Sequence, residues 1–206
     1  TFSFMGQMLG LVQKNPTLAM PLVMNVAIAV PVNLVFAIVA FAIGNDALYY
    51  AFFGLGIFSL YFIDYFSNGL TASMLYDQFT TGKATLGSAF SRTLKSLPGI
   101  VIFAVVTALF ELAEHVANQQ RAALRRMILG FIRMIWTTAT YVVMPAMVIE
   151  NLGFFAAFKR SKDLAEKDPT QIGVGVVAMG LISWILSLHA MGLISWILSL
   201  LTFLAS

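Results

Sequence analysis

The chain has no cysteine, so disulfides, thiolate nucleophiles and cysteine-ligated metals or clusters are excluded. Charge is scarce: Asp, Glu, Lys and Arg make up 10% of the 206 residues, where a soluble domain carries about a quarter. There are two histidines, His115 and His189, and neither has a second ligand at helical spacing. No metal, haem or other cofactor is therefore expected. Gly82-Lys83 lacks the remainder of a phosphate loop. No nucleophile–base set, no carboxylate pair at hydrolase spacing and no basic-aromatic surface for nucleic acid is found. These absences point away from an enzyme. No short apolar segment followed by a cleavage site appears, so no removable signal peptide is expected.

What the chain has is apolar surface, with 60% hydrophobic residues and a mean hydropathy of +0.89. A globule of this composition cannot cover itself with polar groups, so lipid must do the covering. The expectation is an all-α integral membrane bundle, with 1–206 forming one polytopic domain of five to six transmembrane helices. Runs at 18–43, 47–75, 98–114, 127–149 and 171–188 fit spans, and 191–206 fits a short return helix. Pro21 falls in the first turn of its run, where proline is tolerated, whereas Pro31 is expected to kink the helix. Gly44-Asn45-Asp46 reads as a tight turn, Tyr49 and Tyr50 as interface anchors, and Asp77 to Ala84 as a loop.

Two or three amphipathic helices should lie on the cytoplasmic face. The first, within residues 1–17, carries Phe2, Phe4, Met5, Met8, Leu9 and Val12 and ends at Asn15-Pro16. The second, at 85–97, places Leu86, Phe90, Leu94 and Leu97 on one face and Arg92 and Lys95 elsewhere. The third follows the turn at Asn151–Gly153 and runs to Lys167. Lysine and arginine set the orientation. An inside N-terminus places eight cations on the cytoplasmic side: Lys14, Lys83, Arg92, Lys95, Lys159, Arg160, Lys162 and Lys167. Three, Arg121, Arg125 and Arg126, fall outside, unless that segment is tucked against the protein.

The C-terminal segment, Gln171 to Ser206, contains no acid, lysine or arginine. AMGLISWILSL occurs at Ala178–Leu188 and again at Ala190–Leu200. An offset of 12 residues turns the second copy by about 120° on a helix, so the copies would face different neighbours. This is either a recent tandem duplication or an error of sequence assembly, and the segment is either one overlong helix or two.

The stretch from Tyr141 to Gly153, YVVMPAMVIENLG, followed by AAFKRS from Ala156 to Ser161, resembles an uncharacterised family of bacterial and archaeal polytopic membrane proteins. Phe62–Leu97 and Lys14-Asn-Pro-Thr-Leu-Ala-Met-Pro are similar to the same family, over about residues 5–175. The Pro…Glu…Arg-Ser pattern is also loosely similar to the membrane domain of glycerophosphodiester phosphodiesterases, whose catalytic domain has no counterpart in this sequence. The resemblance implies a multi-span fold in a prokaryotic cytoplasmic membrane and no established activity. Asn151 stands where the family has glycine, which implies that a strict tight turn is not required there.

Among the polar residues, Asp64 lies near the middle of the second run, where an ionised carboxylate costs roughly 2.5–3.5 kcal/mol on insertion scales. It is either a proton or cation site, with Asn68 one turn on as helper, or a buried acid that locks helix packing. Arg133 is either an anion or lipid-phosphate site or a structural partner, and its depth favours Glu111 and Glu114 over Asp64. Glu150 is placed to cap the helix after it. Lys159, Arg160 and Lys162 beside Phe154, Phe155 and Phe158 read as a surface for anionic lipid or for a protein partner, diluted by Asp163, Glu166 and Asp168. Gly54, Gly56 and Gly69 read as close helix contacts.

Short loops, embedded amphipathic helices and the lack of a reactive cluster lead to one expectation. The chain should be a non-enzymatic accessory or structural subunit of a larger membrane complex. Its partners should be lipids and other membrane subunits or further copies of itself. The alternative is a small transporter or channel with Asp64 as its intramembrane site.

Overall fold

The structure is a computed structural model that describes residues 10, 12–43, 45–119, 136, 139–140 and 142–167. Every element among these residues is helical. The expected interfacial helix at 1–17 lies largely outside them, as do most of the run at 127–149, the runs at 171–188 and 191–206, the 11-residue repeat and Arg133. The chain divides into two compact units. One is Phe2–Lys162; the other is Thr1 with Asp163–Ser206, of which 163–167 are described.

A 3-10 turn at Pro16–Ala19 leads into α1, Met20–Ala42. Pro21 sits in its first turn, where the missing N–H costs nothing, and the helix continues through Pro31. Asn45 then starts α2, Asp46–Thr81: its side-chain oxygen accepts from the N–H groups of Ala47 at 3.0 Å and Leu48 at 3.2 Å. This satisfies two of the four donors that a helix start leaves open. The 36 residues of α2 extend about 54 Å at 1.5 Å per residue, well beyond the roughly 30 Å of a hydrocarbon core.

The segment expected as a loop from Asp77 is instead the last turn of α2. The Thr80 and Thr81 hydroxyls donate back to the carbonyls of Tyr76 and Asp77, at 2.8 and 2.7 Å, and so hold the polar end in the helix. Gly82 stops it in the left-handed region, with φ 73°. Helix α3, Leu86–Lys95, follows as expected, and Ser96 separates it from α4, Leu97–Gln119, by a bend of 70°. α4 runs past the expected limit of 114.

Residues 142–149 form α5, with Pro145 inside it. At its end Asn151 adopts φ 52° and the Leu152 N–H donates to the Met147 carbonyl at 3.2 Å. That six-to-one bond over a left-handed residue is a tight helix stop. The expectation drawn from Asn151 is thereby corrected: the turn is tight, and asparagine takes the conformation that glycine would supply. α6, Phe154–Lys167, begins two residues later.

Phe103 on α4 is fully buried, with Tyr65, Trp136 and Phe154 around it at ring separations of 5.7, 5.3 and 5.0 Å. Ile100, Met147, Val148 and Ala157 extend this core. A second core joins Leu18, Leu70, Met74, Ala84 and Ala89. Gly69 is a close helix contact, as expected: a Cβ there would stand 2.9 Å from Thr93 Cγ2 and 3.3 Å from Val148 Cγ2. The outer face of α1, from Leu22 to Ile38, exposes Val23, Val26, Val30, Leu34 and Val35. Among the described residues two helices, over Pro16–Ala40 and Ala47–Thr81, are long and apolar enough to cross a membrane, or three if the bent α3–α4 pair is one span.

Candidate functional site

The polar groups of the bundle are gathered along α2. Residues three and four apart on a helix share a face, and this spacing links Tyr61, Asp64, Tyr65 and Asn68. Asp64 accepts from the Asn25 amide of α1 at 3.2 Å on one oxygen. On the other it accepts from the Asn68 amide at 3.3 Å. The expected pairing with Asn68 is present, and Asn25 is a partner that the sequence reading missed. Its signal was an amide in a charge-free run, which Asn33 of the same run carries equally. Both carboxylate oxygens thus face neutral donors. Asp64 is partly buried, while Asn68 is exposed on the surface of α2.

On the α4 side, the Tyr61 hydroxyl donates to Glu111 Oε1. One turn deeper, Thr107 Oγ1 accepts from Trp136 Nε1 at 2.8 Å and pairs with the Tyr65 hydroxyl at 2.8 Å. Glu111 and Asp64 therefore engage different neighbours, Tyr61 of α2 for the first and Asn25 of α1 for the second. The expected partnership of Arg133 with Glu111 and Glu114 lies outside the described residues, as does the Glu114 side chain.

A third cluster, invisible to spacing rules, closes the end of α2. Arg92 Nη1 donates to Asp77 Oδ1 and to Ser73 Oγ, each at 2.9 Å. Ser88 Oγ donates to the second Asp77 oxygen at 2.9 Å, and the guanidinium lies 5.4 Å from the centre of the Tyr76 ring. Asp77 is buried and Arg92 partly so.

The basic-aromatic helix α6 is divided by its packing. Phe154 turns into the core against Phe103, while Phe155 is 82% exposed and Phe158 41%. Arg160 Nε is held by the Glu150 carboxylate at 3.1 Å, so Glu150 clasps α6 from its side instead of capping it with backbone donors. Lys159 and Lys162 are exposed. The surface expected of six side chains is thus presented by Phe155, Phe158, Lys159 and Lys162.

A family model describing a family of unknown function, DUF6159, matches residues 46–205. The chain belongs to DUF6159. No curated protein and no solved structure matches it. The match begins at the first residue of α2, so Asp64, Asp77, Arg92 and Glu111 fall inside the DUF6159 range and Asn25 falls outside it. Among the described residues no three His, Asp or Glu side chains come together as a metal-holding group.

Proposed function

We propose that this DUF6159 chain is a non-enzymatic integral membrane protein serving as an accessory subunit of a larger membrane assembly, with lipids and other subunits or its own copies as partners. The observation that carries the reading is Asn68, an amide exposed on α2 within an apolar span. Among the described residues no hydrogen bond reaches its carbonyl, and transmembrane helices satisfy such a group by association. The outer face of α1, apolar over its whole length, is a second surface on which membrane helices can pack. The basic end of the bundle is the cytoplasmic face of a prokaryotic inner membrane, in keeping with the positive-inside rule. Native mass spectrometry after mild extraction tests this. The expected outcome is a complex heavier than one chain that Asn68→Leu weakens. A chain that always runs alone would overturn it.

The alternative, a small transporter or channel, is favoured by one feature: among the described residues the partners of Asp64 are neutral amides and no cation. A carboxylate so placed can take and release a proton or a cation. Ion flux into reconstituted vesicles, compared between the native chain and Asp64→Asn, decides it; equal flux removes the role.

A further inference from the structure

Helix α3 lies across α2 in a definite order. The Phe90 ring meets Phe66, 5.4 Å away edge-to-face. Thr93 abuts Gly69, Arg92 reaches Ser73 and Asp77, and Ser88 reaches Asp77. From Phe66 to Asp77 is about 16 Å along a helix axis, and Phe66 is the nearer to the middle of α2. One flank of α3 therefore points toward the centre of the span and the other toward its end. The inner flank is apolar, with Phe90 and Leu94 exposed on it. The outer flank is polar, with Ser88 and Arg92. Lys95 follows Leu94 about 100° further round and is exposed, as is Lys83 just before the helix.

Along the chain the charge here is of one sign. No Asp or Glu occurs from Gln78 through Phe110, and the nearest acid, Asp77, is engaged by Arg92 and Ser88. Tyr76 and Phe79, exposed on the last turns of α2, stand at the same level. An apolar flank turned toward the bilayer centre, aromatic residues beside it and lysines without acids match the headgroup boundary of an anionic membrane. The 70° bend into α4 turns α3 toward the membrane plane.

We propose that α3 and the last turn of α2 form a binding surface for anionic lipid headgroups, with Lys83 and Lys95 taking the phosphates and Phe90 and Leu94 entering the acyl boundary. This rests on the membrane placement of the reading above and goes beyond its accessory role. Each lysine near a charged membrane surface contributes roughly fivefold in preference for anionic lipid.

The full chain in nanodiscs of equal parts phosphatidylglycerol and phosphatidylcholine tests the proposal. Native mass spectrometry of the released protein should find phosphatidylglycerol retained several-fold over phosphatidylcholine. The double variant Lys83→Gln, Lys95→Gln should lose most of that preference. Absence of a preference, or one that the double variant retains, overturns the assignment. Because the chain has no cysteine, Leu94→Cys carries a single fluorophore. Quenching by brominated acyl chains supports the placement. Quenching by aqueous iodide alone, or shielding from both by a bound protein, refutes it.

Discussion

At Asn151 the backbone holds φ 52°, a conformation that costs most side chains roughly 1–2 kcal/mol and glycine almost nothing. Asn151→Gly should therefore leave the stability of the protein unchanged or slightly raised. Asn151→Val should lower it by about 1–2 kcal/mol, because a branched Cβ meets the following carbonyl. Thermal unfolding in detergent, followed by circular dichroism, reads the difference; equal melting temperatures would mean that the turn does not need its left-handed residue. The sequence showed that a turn stood here, through Glu150-Asn151-Leu152-Gly153. It did not show which residue would bend, because asparagine and glycine both take the left-handed region and Gly153 was equally available. At Asp64 the situation was similar. The acid and Asn68 were legible as neighbours one turn apart, whereas Asn25 is 39 positions away from Asp64 and can be found only once the α1–α2 hairpin is closed.

Between elements, two glycines make close contacts of different kinds. A Cβ at Gly69 would press on Thr93 Cγ2 and Val148 Cγ2, both carried by β-branched side chains with little freedom. A Cβ at Gly99 would stand closer still, 2.5 Å from Met147 Sδ, but a thioether has rotatable bonds by which to withdraw. Gly69→Ala is therefore expected to destabilise more than Gly99→Ala, by about 1–3 kcal/mol for the overpacked site. Chemical unfolding of the two variants under one condition checks the order, and a larger loss at Gly99 would contradict it. The ends of the elements divide along similar lines. The turn before α2 at Asn45 was legible, but the polar run from Asp77 hid its last helical turn and with it the stop at Gly82. Threonine hydroxyls returning to carbonyls one turn back preserve a helix without apolar residues, and hydropathy does not register them. The Asp77–Arg92 pair was hidden for a different reason: it forms across the turn at Gly82, and only folding brings its members together.

At the scale of the whole molecule, one end of the bundle collects the basic groups of the described residues. Asn15, next to Lys14, donates to Gln78 near the end of α2 at 3.0 Å. Lys83 follows that end directly, and Ser96 at the start of α4 donates to the Met147 carbonyl at 3.2 Å, which brings the Glu150 turn and the start of α6 to the same level. Asn45 lies at the other end of α2. Single cysteines replacing Lys83 and Lys159 should thus react with an impermeant thiol reagent from one side of the membrane, and one replacing Asn45 from the other. Labelling of all three from one side would mean that α2 does not cross. The apolar runs made the helical class of the protein legible, and the pattern within 85–97 and 154–167 made its short amphipathic helices legible. The packing between them was not, because small residues such as Ala89, Ala157 and Ser161, which carry the contacts of α3 and α6, look alike in any apolar sequence.

The tie from Asn25 to Asp64 also bears on how the chain enters a membrane. In the membrane reading proposed above, the second helix alone would bring into hydrocarbon a carboxylate with only the Asn68 amide as its donor, against a barrier of a few kcal/mol. Its other amide partner is on the helix made just before it, joined by a turn of a few residues at Ile43–Asn45. Ribosomal synthesis therefore delivers the partner first, and a hairpin inserted as one piece carries the acid into the bilayer already accepting its hydrogen bond.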